Sequence, residues 1–263
     1  MRRTKETGMG RRDRDSRYGT GLAAVASLAL LVACGPSMPP PDSTPRQRYD
    51  WSAERYEKGQ YSKAIRGFRD HLFRDPLDPT ADSARLLLAE SYLESDQELL
   101  AANEFRQLVT TRPNSSLADD AQYGICRSYW ALSPSIPRDQ DFTRKAIEEC
   151  ARLVEFYPRS PVVSEARTVS EEASQKLAEK EMSIGKWYFS RRMYESSIIY
   201  LESVLVNYPG SAVEPEVLGL LANSYRYVGF RREAEQIEAR LLELYPDSKE
   251  AGEIEREDGS GSE

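Results

Sequence analysis

A proline returns along this chain at a nearly regular interval, each time closing the same short pattern. A small residue, a large one four positions later and a proline eight positions after that give Ala64, Phe68 and Pro76. The set recurs 37 residues on as Ala101, Phe105 and Pro113; the interval then stretches to 45 at Pro158 and 51 at Pro209 and returns to 37 at Pro246. A repeat of this length describes one supersecondary unit stacked on the next, because a single unit cannot bury its apolar face alone. The small residue lets two helices approach, the large one fills the gap between them, and proline ends the helix because it lacks an N–H. Phe68, Phe105 and, at the matching place, Leu201 are therefore expected in the core.

First helices carry their own marks. Trp51 leads to Lys58-Gly59-Gln60-Tyr61, with Gly59 placed for the inter-helix turn. Ala81, Ala84, Ala89 and Tyr92 recur 37 positions later as Ala118, Ala121, Cys126 and Tyr129, and Leu218, Leu221, Ala222, Tyr225, Gly229 and Ala234 take the corresponding offsets in the last unit. Three units close on Tyr157-Pro158-Arg159-Ser160, Tyr208-Pro209-Gly210-Ser211 and Tyr245-Pro246-Asp247-Ser248, whose serines suit N-caps for the helices that follow. The pattern is that of the tetratricopeptide (TPR) repeat. The fold expected is an all-α TPR α-solenoid of about five repeats, near 46–79, 81–115, 118–160, 178–211 and 215–248, within a body spanning 49–249.

Two stretches break the regularity. Residues 133–141 form a Pro-rich loop that lengthens the turn inside repeat 3. Residues 162–190 hold no proline, and Val169, Ala173, Leu177, Ile184 and Tyr188 fall at helical spacings, which predicts one extended helix splicing the first three repeats to the last two. The end, 250–263, is acidic and rich in Gly and Ser, and reads as a disordered tail.

The first 33 residues read as a targeting segment. Arg2, Arg3, Lys5, Arg11, Arg12, Arg14 and Arg17 precede an apolar run from Gly21 to Ala33, too short to span a membrane but suited to a signal-peptide core. Met1 and Met9 are both possible starts. Leu31-Val32-Ala33-Cys34 looks like the bacterial lipobox, in which small residues fit the cleavage pocket and a free thiol accepts the lipid; the alternative is an ordinary signal peptide with a chance cysteine. Cys34 is thus the expected lipidation site, residues 34–48 a flexible tether, and Gly35 after the cysteine points to the outer membrane, facing the periplasm. The whole chain has a net charge of −7, and loss of a segment with seven basic and three acidic residues leaves −11, which argues against nucleic-acid partners.

No catalytic, metal or cofactor motif is legible, and none is expected. His71 reads as a packing residue, and Glu148-Glu149 and Glu171-Glu172 as solvated face residues. Cys126 and Cys150 fall at facing positions of the repeat 3 helix pair. A disulfide between them is geometrically plausible, and two buried free thiols are the alternative.

The segment 175–189 (QKLAEKEMSIGKWYF), Tyr194, Asn207-Tyr208-Pro209 and Asn223-Ser224-Tyr225-Arg226 resemble the BamD family of outer-membrane assembly lipoproteins over residues 50–245. The resemblance implies a non-enzymatic scaffold of the β-barrel assembly machine. Its partners would be a barrel-forming, BamA-like subunit, unfolded outer-membrane proteins and other assembly lipoproteins. The basic residue that family uses in repeat 4 aligns with Tyr200, so Arg191, Arg192 and Arg226 nearby are the candidates to supply its charge. Substrate peptides would meet the inner face of the first repeats, at Tyr49, Tyr56, Glu90, Tyr123, Arg127 and Trp130. The competing function is that of another periplasmic TPR lipoprotein coordinating cell division or envelope and peptidoglycan factors.

Overall fold

A computed structural model describes residues 38–260, with side chains through Ile254. The targeting segment and Cys34 lie outside the described residues. Among the described residues eleven helices follow one another: α1 (Pro45–Glu57), α2 (Tyr61–Arg74), α3 (Ala81–Leu93), α4 (Glu98–Thr111), α5 (Ala118–Ala131), α6 (Asp141–Phe156), α7 (Val163–Ser190), α8 (Tyr194–Asn207), α9 (Glu214–Val228), α10 (Arg231–Leu244) and α11 (Lys249–Ser260). Each of α1 to α10 packs on the next, and the first helices also touch one another, α1 on α3, α3 on α5, α5 on α7 and α7 on α9. This is the TPR α-solenoid, with the first helices lining its inner side.

Proline sets the spacing through the residue before it. The C-caps Asp75, Arg112, Tyr157, Tyr208 and Tyr245 all have φ between −128° and −135° and ψ between 52° and 59°. The following proline ring disfavours the helical region at exactly that residue, so all five second helices stop one position early. Inside repeats 1, 2, 4 and 5 the inter-helix turn needs one left-handed residue. Gly59 (φ 66°) and Gly229 (φ 87°) supply it without strain, whereas repeats 2 and 4 use Asp96 (φ 55°) and Arg192 (φ 61°).

The small–large pattern does what its spacing requires. Ala64, Phe68, Ala101, Phe105 and Leu201 are fully buried. Phe105 sits so close to α5 that a Cβ on Gly124 would fall 2.5 Å from its ring. The 28-residue α7 joins two cores: its first half packs with Cys126, Cys150 and Leu153, its second with Ile198, Leu201 and Val204.

Several expectations need correction. Ser160 and Ser211 do not cap helices: each lies in a preceding turn, where its carbonyl accepts from Val163 and Glu214, and Val162 and Val213 take the N-cap positions. Ser248 does cap, accepting from the Ala251 N–H at 3.1 Å. The tether is not flexible through residue 48. Ser43 folds back on the Pro40 carbonyl, Thr44 and Gln47 form a capping box, and Arg48 ties Ser43 to Asp75. Nor does disorder begin at 250, because Ala251 and Ile254 of α11 are buried against Leu218 and Leu241. Their helical spacing covers the open end of the last repeat, which a solenoid otherwise leaves exposed. Glu149 is not solvated: it is 8% exposed, accepts from Gln122 at 3.0 Å and pairs with Arg106 at 3.2 Å.

Candidate functional site

The inner face of the first three repeats brings most of the expected substrate residues into one strip. Tyr56 of α1 lies 5.7 Å from the Tyr61 ring, whose hydroxyl reaches Glu94, the C-cap of α3, at 3.5 Å. Glu90 of α3 accepts a charge-assisted hydrogen bond from Arg127 of α5, and the Arg127 guanidinium stands 5.3 Å over the Tyr123 ring. Trp130 continues the strip to α7, where Lys176 lies 5.1 Å over its ring. Burial is the first cause pushing the Tyr56 and Tyr123 hydroxyls above the usual phenol range. Glu90 and Glu94 add to it at Tyr56, while Arg127 opposes it at Tyr123. Asp120 is raised too, by burial and then by Asp119. Rings held in a field of carboxylates, with cations laid over them, make a surface for mixed aromatic and charged segments.

Tyr49 does not join this strip. Its ring faces Phe68 and His71, each 6.2 Å away, and packs on the repeat 1 core. His71 is fully buried, its Nε2 3.0 Å from the Thr80 hydroxyl, and burial holds the imidazole below its ordinary range.

Cys126 and Cys150 are paired as a disulfide, with Cα atoms 5.1 Å apart, in the core beneath Tyr123 and Trp130. The Pro-rich loop above them is ordered by Gln140, whose buried amide donates to the carbonyls of Ser135, Ile136 and Arg138. Lys176 and Lys180, one turn apart on α7, grip the loop at Ser133 and Arg138. The sequence reading missed Lys176, Glu94 and Tyr61. The only signal for Lys176 was that it shares a helix face with Lys180, four residues on.

The expected partner residues in repeats 4 and 5 are placed differently. Arg191 lies 4.3 Å over the Trp187 ring, Arg192 takes the left-handed turn, and Tyr200 stacks on Tyr188 at 5.4 Å. Around them is an aromatic edge that was not among the expected partner residues. Tyr194 stacks on Tyr227 at 4.4 Å, and Phe189 meets both edge-on. Trp187 is 49% and Tyr227 64% exposed. Arg226 instead pairs with Glu238 at 2.7 Å and lines a cleft of about 250 Å³ beside Lys186, Glu216 and Lys249. Arg191, Arg192 and Tyr200 do not line that cleft.

Among the described residues, no helix is long and apolar enough to cross a membrane. A family model described as YfiO, outer membrane lipoprotein, matches residues 41–242. The chain is 24% identical over 235 residues to the outer membrane protein assembly factor BamD of Caulobacter vibrioides, covering 88% of this chain and 77% of that protein. It is 25% identical over 193 residues to the factor of the same name from Rickettsia prowazekii, covering 73% and 77% respectively. Among solved structures, the TPR2AB-domain:pHSP90 complex of yeast Sti1 has 14% identity and a TM-score of 0.44 over 79% of this chain and 80% of that one.

Proposed function

The chain belongs to the YfiO family of outer membrane lipoproteins, and on that premise we propose that it is a non-enzymatic scaffold for outer-membrane protein assembly. It is held to the outer membrane by lipid on Cys34 and faces the periplasm. Unfolded outer-membrane proteins lie along the inner face of the first three repeats. A barrel-forming, BamA-like subunit docks on the edge formed by Arg191, Arg192 and the rings beside them, and other assembly lipoproteins can join the complex.

One observation carries this reading: the strip from Tyr56 through Glu90, Tyr123, Arg127 and Trp130 to Lys176 crosses four successive first helices. A strip that long suits an extended segment rather than a compact ligand, and offers alternate sites for rings and charges. Gentle detergent extraction of the tagged protein is the test. A large barrel protein with repeated periplasmic domains should come down with it, and Arg191→Glu with Arg192→Glu should lower that recovery about tenfold, as loss of a charge-complementary contact does. Tyr123→Ala with Arg127→Ala should leave the recovery intact while reducing crosslinking to unfolded barrel segments. Recovery of only cell-division or peptidoglycan factors would replace this function with the competing one.

A further inference from the structure

The two most exposed large apolar side chains among the described residues are Phe73 and Leu77, at 87% and 85%. They flank Asp75 at the outer tip of repeat 1, where α2 ends. The repeat alignment shows how unusual they are. Positions matching Leu77 hold Asn114, Arg159, Gly210 and Asp247; positions matching Phe73 hold Thr110, Glu155, Val206 and Glu243. Only repeat 1 is apolar at both.

This tip is also where the chain enters the solenoid. Arg48 bonds Ser43 in the leading turn and Asp75 in the tip with one guanidinium, so the two turns are neighbours. The first described turn, Pro40–Thr44, follows Cys34 by only a few positions. Cys34 and Pro39 are five positions apart, about 18 Å even when fully extended. The tip itself is rigid: Pro76 and Pro79 bracket it, Asp78 accepts from the Thr80 N–H and hydroxyl, and the N–H of Asp78 donates to the Asp75 carbonyl at 3.1 Å. Two of its three carboxylates are neutralised by ion pairs, Asp70 with Arg74 and Asp75 with Arg48 of α1, which lowers their repulsion from an anionic surface; Asp78, bonded to Thr80, keeps its charge.

We propose that this tip is a second membrane contact, in which Phe73 and Leu77 enter the headgroup region of the lipid surface that anchors Cys34. The inference rests on the reading of Cys34 as acylated. Two signals hold a protein to a bilayer far more stably than one, and a preformed turn adds its apolar area with little loss of freedom. The contact fixes the solenoid's orientation rather than merely its address.

The test uses the full-length lipidated protein on vesicles of phosphatidylethanolamine and phosphatidylglycerol. Leu77→Cys carries an environment-sensitive fluorophore, and Asn114→Cys, the matching place in repeat 2, carries the same label in a second sample. The expected result is blue-shifted emission and several-fold protection from a soluble quencher at position 77 and neither at 114. Separately, Phe73→Ser with Leu77→Ser in unlabelled protein should raise the fraction released by carbonate washing about tenfold. Flotation with no shift at 77, or equal shifts at both positions, would overturn the contact alone. A Cys34→Ser variant that floats like the wild type would instead overturn the anchor beneath it.

Discussion

The first three repeats and the last two are built on one plan yet display their aromatic residues on different faces. In the N-terminal half, Tyr56, Tyr123 and Trp130 line the inner side, partly buried and covered or flanked by charged groups. In the C-terminal half, the cleft lined by α7, α9, α10 and α11 holds Lys186, Glu216, Arg226, Glu238 and Lys249 with no ring among its lining residues. The rings there have moved to the turn edge, around Tyr194 and Tyr227. The contrast teaches that repeat geometry fixes where a helix goes but leaves its exposed positions free to specialise. A long inner strip suits an extended chain, and a protruding edge suits a folded partner.

The largest effect that would sharpen this contrast is on the disulfide, which only the N-terminal half possesses. The bond closes a separation of 24 residues, so reducing it should cost about 3 kcal/mol of stability. Urea melts followed by a probe in repeat 3 should show the loss first there. Thiol counting on denatured, non-reduced Cys34→Ser protein should find none, and two free thiols would remove the distinction between the halves. Next comes Glu149→Ala, which strands Arg106 and Gln122 in a half-buried network and should cost about 2 kcal/mol. A loss within a few tenths would return Glu149 to the solvated face where its sequence neighbours suggested it lay.

Arg192→Gly should act with opposite signs on folding and binding. Glycine relieves the left-handed strain at φ 61°, stabilising the fold by about 1 kcal/mol, while recovery of the barrel partner falls. If both rise together, Arg192 is a turn residue and nothing more. The smallest effect is pH-dependent. Burial depresses the His71 imidazole below its usual value of 6.5, so beneath that pH the unfolded chain binds more protons than the folded one. Stability should therefore be full above pH 6.5 and decline as pH falls from there toward the depressed value. Urea midpoints at pH 7.5 and 5.5 should differ less in His71→Met than in the wild type; an equal difference would place the acid sensitivity elsewhere, including in the half that has no histidine.

How far the sequence reached varies residue by residue. Phe68, Phe105 and Leu201 were legible because a repeated position must serve the same packing role each time. The extended helix was legible in 162–190 because unbroken periodicity without proline leaves a helix little alternative. Glu149 was not, because adjacency to Glu148 suggests exposure, whereas burial depends on Arg106 and Gln122 from other helices. Tyr49 and Tyr56, seven residues apart on one helix, both pack on the repeat 1 core, and only Tyr56 also meets Tyr61 and so joins the strip. The start of the tail misled through composition: acidic, Gly-containing sequence predicts disorder, whereas Ala251 and Ile254 are buried against Leu218 and Leu241.

The sequence by itself determined the solenoid, its five prolines and the early stop they force on each second helix, since these follow from local sterics and from the spacing of apolar residues. Only the tertiary structure decided which exposed side chains act together. The pairing of Glu90 with Arg127, the grip of Lys176 and Lys180 on the loop and the stacking of Tyr194 on Tyr227 each join residues from different helices. Such meetings depend on how far one helix is turned against the next, a rotation set by close packing of whole side chains and written in no single stretch of the chain.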